Sequence, residues 1–308
     1  FRPADGTAPR WLSEGLAELV RVELAYGDQV RIAAREELAG AEEELAAREP
    51  EELSPVALRR LRDRLGVDVV VAGTYRQSAE PGPLLLEAAL VDTEDAQILH
   101  RVRQTGSLAE LPTLVGGAGG ELRRALGVGE PTAGEAARAR AWLPATLEGA
   151  RLFAEATERH MLYDMTAARA RLVELLRQEP AFARGHLLLA LVSDALGQDE
   201  EARREIGLAL AGAANLTSEQ RLHVESVHHL MTRDYDGAIQ VLQALVRVYP
   251  DSLRYGFHLA RAQRFAGRLE DAAATLESLR RLPAPLGAHP RIDLLAAGLA
   301  AERGDWPR

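Results

Sequence analysis

The sequence predicts a small α/β domain followed by an all-α repeat, with most of the chain helical. Three observations carry that expectation. Ala168, Ala202, Ala238 and Ala272 recur at spacings of 34, 36 and 34 residues. Val67–Tyr75 is a run rich in β-branched residues, which favour strands over helices. Ala, Leu, Arg and Glu dominate the composition, and all four are strong helix formers.

In the first half, Leu12, Leu16, Leu19, Val20 and Leu24 form one stripe of a helix over Trp11–Leu24. Gln29–Ala34 is a short β-like run. Glu36–Arg48 and Ser54–Leu65 read as two further helices, the second opened by a Ser54 cap and Pro55 at its first position. Val67–Tyr75 reads as a buried strand, and Leu84–Val91 with Gln97–Thr105 as a hairpin around Asp92-Thr93-Glu94-Asp95. Strands alternating with helices and ending in a hairpin define an α/β domain over residues 1–128. Leu111, Leu114, Val115, Ala118, Leu122 and Leu126 fit one more helix. Gly116, Gly117, Gly119 and Gly120 each cost that helix about 1 kcal/mol, so a weak start is expected. Residues 129–144, with Pro131, Gly134 and Pro144, are expected to be a linker.

Residues 145–308 carry the repeat, about four and a half units long. Each recurring alanine follows a turn signal: Tyr163-Asp164, Gly197-Gln198-Asp199, Arg233-Asp234-Tyr235-Asp236 and Gly267-Arg268. Pro180 and Pro250 close the first and third units, where proline stops one helix and begins the next connection. A small residue early in the second helix of each pair lets the two helices approach closely. Ala156, Ala190, Ser226 and Ala260 supply a second small position in the first helices. Leu172, Leu175 and Leu176, and then Ile239, Leu242, Leu245 and Val246, bury one face at three- and four-residue intervals. Such a unit cannot bury its face alone, so neighbours must stack. A period near 34 residues with this layout is that of the tetratricopeptide repeat, a helical solenoid. The second unit is the loosest, with two extra residues and Gly212-Ala213-Ala214-Asn215 in place of a closing proline.

The charge balance is acidic, 37 Lys+Arg against 46 Asp+Glu for a net of −9. Nucleic acid is therefore not an expected partner, because phosphate binding needs a basic face. With no cysteine there are no disulfides, thiolate metal sites or cysteine nucleophiles. No apolar run approaches the roughly 18 residues of a membrane span; the longest is Leu187–Val192. A start at Phe1 and an end at Gly304-Asp305-Trp306-Pro307-Arg308, in mid-repeat, suggest a piece of a longer protein.

Phe1-Arg2, the segment Trp11–Leu19, Leu65-Gly66-Val67 running on to Thr74-Tyr75, and Ala89-Leu90-Val91-Asp92-Thr93 together resemble the TolB-amino-terminal-like domain. In bacterial regulators that domain precedes tetratricopeptide repeats. The repeat half matches in Phe182-Ala183-Arg184-Gly185-His186, in Tyr249-Pro250-Asp251 with Tyr255-Gly256, and in His289-Pro290-Arg291-Ile292-Asp293. The combination looks like the C-terminal region of bacterial eukaryotic-like serine/threonine kinases, with related regions in CadC-type regulators and class III adenylate cyclases. The resemblance implies a sensor or protein-interaction region of a signalling protein, more often outside the cytoplasm than inside it. It brings no catalytic residues. The family domain opens with a hydrophobic strand ending near Phe1, and that first strand is expected to be missing here.

Enzymatic motifs are absent. There is no lysine, which removes a P-loop and the kinase strand lysine together, and no H-R-D loop. Gly116–Gly120 is read as a helix start and not as an anion nest. Glu225 and His229 lie four apart on one helix, but two ligands are too few for a metal site. No nucleophile–base set can be assembled. No catalytic activity, cofactor or metal is expected of this chain.

In a tetratricopeptide array the first helices line the concave groove. The candidates there are Phe153, Thr157, His160 and Met161, then Arg184, Leu187, Leu191 and Asp194. The third unit offers Gln220, His223, Val227 and Leu230, and the fourth Arg254, Phe257, Arg261 and Arg264. Three arginines on one helix of an acidic chain suit an acidic peptide or a carboxylate terminus, because guanidinium clamps carboxylate bidentately. The alternative pairs these arginines with glutamates of the next helix. A second functional reading is a small-molecule sensor, its ligand held at the α/β domain or at the junction with the solenoid.

Overall fold

The computed structural model describes residues 1–4, 10–26, 29–33, 52–77, 82–283 and 286–303. It forms two compact units, Phe1–Leu196 and Gly197–Arg308.

The first unit opens with a four-stranded sheet in the order β1 (Arg2–Pro3), β2 (Val69–Gln77), β3 (Leu84–Asp92), β4 (Ile98–Gly106). β2, β3 and β4 form an antiparallel meander, with Val69 opposite Asp92 and Leu84 opposite Gly106. β1 lies parallel to β2, Arg2 opposite Thr74, so a two-residue first strand exists where none is expected. Phe1 packs on Gly73 of β2; a Cβ there would stand 2.5 Å from the Phe1 ring. The register slips between Leu90 and Val91, and the bulge turns Leu99 half out to solvent.

Alternation along the strands sends side chains to two faces. Tyr75, Leu84, Leu86, Leu90 and Val102 meet α1 (Arg10–Leu24), through Leu12, Leu16, Val20 and Leu24, and α3 (Leu111–Ala125), through Leu111, Leu114, Val115 and Leu122. Ala89 and Val91 meet Leu53 and Leu58, the latter on α2 (Pro55–Leu65), whose Ser54 cap is in place. At the hairpin, the Thr93 hydroxyl is buried 2.7 Å from the Val67 carbonyl oxygen. Gln29–Ala33 is irregular and not a strand, so β-branching there does not decide the backbone without a pairing partner. The expected helix Glu36–Arg48 lies outside the described residues.

The glycines of α3 do not interrupt it; a 3₁₀ turn over Leu108–Glu110 leads into an unbroken helix. A Cβ on Gly119 would stand 2.5 Å from the Glu23 Cβ, so that glycine admits α1 to close contact. Residues 129–144, expected as a linker, contain α4 (Ala133–Arg140). Thr132 and Glu135 form its capping box, a signal outweighed in the sequence by the surrounding proline and glycine. Arg140 then reaches Glu23 at 3.5 Å, and Arg123 donates to the carbonyls of Leu24, Tyr26 and Gly129, closing the C-terminal end of α1.

Helices α5 (Leu147–Met161), α6 (Met165–Gln178) and α7 (Ala183–Ala195) complete the unit. Their core joins Leu152, Ala156, Ala168, Leu172, Leu175, Leu189 and Val192, with Phe153 and Phe182 edge to face at 5.3 Å. Glu179 is buried and caps α5 from a distance, accepting from the Ala145 and Thr146 amides and the Thr146 hydroxyl.

The second unit consists of α8 (Asp199–Gly212), α9 (Ser218–Met231), α10 (Tyr235–Val248), α11 (Leu253–Phe265), α12 (Leu269–Arg280) and α13 (Pro290–Arg303). All four repeating alanines of the chain are buried, as are Ala156, Ala190, Ser226 and Ala260. The loose second unit ends in a 3₁₀ turn, Ala213–Asn215, before the Thr217–Gln220 capping box opens α9. Tyr163, Gly197, Arg233 and Gly267 all have φ between 59° and 75°, each five residues before a repeating alanine. The same left-handed turn therefore joins each helix pair, twice with glycine and twice without.

Candidate partner-binding face

In the first unit the candidates divide by what already occupies them. Phe153 and Leu187 are both buried, Phe153 within the helical core. Leu191 is half-buried, and the Thr157 hydroxyl turns back to the Phe153 carbonyl at 2.8 Å. His160 is half-buried, while Met161 is exposed beside Leu162 and Tyr163 at the turn into α6. Asp194 is exposed near the end of α7. Arg184 is committed: its guanidinium pairs with the Glu18 carboxylate of α1. It also lies 4.8 Å over the Phe153 ring and 5.4 Å over Trp142. The arginine of this face thus already holds a carboxylate, one belonging to the chain's own first helix.

In the second unit, Gln220 is part of the α9 cap, its side-chain oxygen accepting from the Thr217 amide. Val227 and Leu230 are buried. His223 is buried with its ring 5.9 Å from that of Tyr255. The Tyr255 hydroxyl donates to Glu219 at 2.6 Å, and burial followed by that carboxylate pushes its phenol upward. Phe257 is half-buried beside His258, ring centroids 6.1 Å apart.

The three arginines of α11 part company. Arg264 donates through Nε and Nη2 to Glu302 of α13, at 2.9 and 2.6 Å, and holds that carboxyl below its usual range. This arginine is paired with a glutamate, as the alternative has it, but with one two helices further on and not on the next helix. Arg254 and Arg261, seven residues apart, share a helical face on which His258 lies between them. His258 has its Nδ1 buried and unbonded among the described residues. Burial first, then the charges of Arg261, His223, Arg254 and Arg291, holds its imidazole well below the ordinary value. Sequence reasoning missed His258. Its only signal is the spacing of four from Arg254 and three to Arg261, because Arg291 and His223 reach it only by packing.

His229, weighed above as half of a metal pair with Glu225, instead bonds Asp234 at 2.7 Å. Among the described residues no group of three or more His, Asp or Glu side chains is placed to hold a metal ion. No helix among them is long and apolar enough to cross a membrane.

Residues 229–285 match the tetratricopeptide repeat. The match runs from the end of α9 through α10 and α11 to just past α12, and so covers the repeat whose first helix carries Arg254, His258 and Arg261. Its small positions, Ala238, Ala260 and Ala272, are the buried alanines at which helices approach. No curated protein matches the chain. Tetratricopeptide repeats are protein-interaction modules, and a repeat presents its first helix as a binding surface. In this repeat that helix carries Arg254, Arg261 and Arg264.

Proposed function

We propose that this chain is a non-catalytic protein-interaction region of a larger bacterial signalling protein, by resemblance a serine/threonine kinase, whose sheet-containing N-terminal domain is TolB-like. Its partner is an acidic peptide segment bound at the first helix of the matched repeat. The observation that carries this reading is the tetratricopeptide match over residues 229–285, whose helix α11 carries Arg254 and Arg261 seven residues apart on one face. Guanidinium groups hold carboxylates bidentately, which suits that face to an acidic segment. The kinase context rests on the resemblance of both halves of the sequence.

The test is fluorescence anisotropy with a labelled Glu/Asp-rich peptide and its Gln/Asn counterpart. The acidic peptide should bind, the neutral one should not, and binding should weaken with salt as charge-driven contacts do. Arg254→Ala with Arg261→Ala should reduce affinity at least about tenfold, the scale for losing charged hydrogen bonds. Equal binding of both peptides would sink the reading.

A further inference from the structure

We draw no further inference here: the strongest candidate, the exposed apolar patch of Met161, Leu162 and Tyr163 at the turn between α5 and α6, carries none because nothing in the structure shows what covers it.

Discussion

Glu18 and Arg184 meet across 166 positions of sequence, carboxylate against guanidinium, with Phe153 and Trp142 covering the arginine's flat faces. Both side chains are about three-quarters shielded from solvent, so the pair is screened less than a surface salt bridge. It ties α1, which also carries the sheet domain's core, to α7, the helix that follows the first helix pair. Phe1–Leu196 is accordingly one compact unit with no break at residue 128 or 144.

The first prediction concerns that pair. A double-mutant cycle of Glu18→Gln and Arg184→Gln, read by chemical denaturation, should give a coupling energy of about 1–2 kcal/mol, toward the upper end for an ion pair because it is partly desolvated. Trp142→Ala should lower stability as well, by removing one stacking face. A coupling indistinguishable from zero would mean the pair forms without stabilising the unit.

Neighbouring glycines of α3 should answer substitution with opposite signs. Gly119→Ala puts a methyl group 2.5 Å from the Glu23 Cβ and should destabilise by about 1–3 kcal/mol, as overpacking does. Gly120 has nothing within 4 Å of an added Cβ, so Gly120→Ala should stabilise by up to about 1 kcal/mol through helix propensity. Thermal unfolding of both variants decides, and the same sign for both would contradict the packing account.

The left-handed turn of each helix pair gives a third contrast. Tyr163 and Arg233 adopt φ of 59° and 62° with a side chain present, at a conformational cost of about 1 kcal/mol that glycine avoids. Gly267→Ala should therefore destabilise by about 1 kcal/mol, and Arg233→Gly should be neutral or stabilising despite the freer unfolded chain. Equal losses from both would indicate that the Arg233 side chain matters more than its backbone.

Without a partner, the chain should lose stability on mild acidification. Burial holds His258, His228 and His289 below the ordinary histidine value of 6.5, with neighbouring positive charges adding to it. Below that pH the unfolded chain takes up protons that the folded chain refuses. Their stabilisation is therefore complete above about pH 6.5 and is lost as pH falls. The unfolding midpoint should fall between about pH 7 and pH 5.5, with a shallower fall in His258→Gln. A flat wild-type profile would show that these imidazoles remain accessible to protons.

Much of the fold is legible in the sequence because its signals are local. Periodic alanines mark where helices must approach, the Ser54-Pro55 start is a local cap, and the β-branched run finds its strand within two residues of the expected ends. The α4 helix is local too, yet its capping box is masked by proline and glycine on either side. The candidate site is less legible. Helical spacing places Arg254, Arg261 and Arg264 on one helix, but whether each cation meets a carboxylate depends on a different helix. Arg264 finds Glu302, and Arg184 finds Glu18.

The sequence by itself determined the repeat, its period, its small positions and the acidic balance of the chain, all consequences of short-range periodicity and composition. Only the tertiary structure decided that Gly119 is a contact with Glu23, that residues 129–144 fold into the first unit, and that His258 sits among Arg254, Arg261, His223 and Arg291. The reason is physical: propensity and periodicity act over a few residues, whereas close approach, burial and charge neighbourhood are set by which helices pack together.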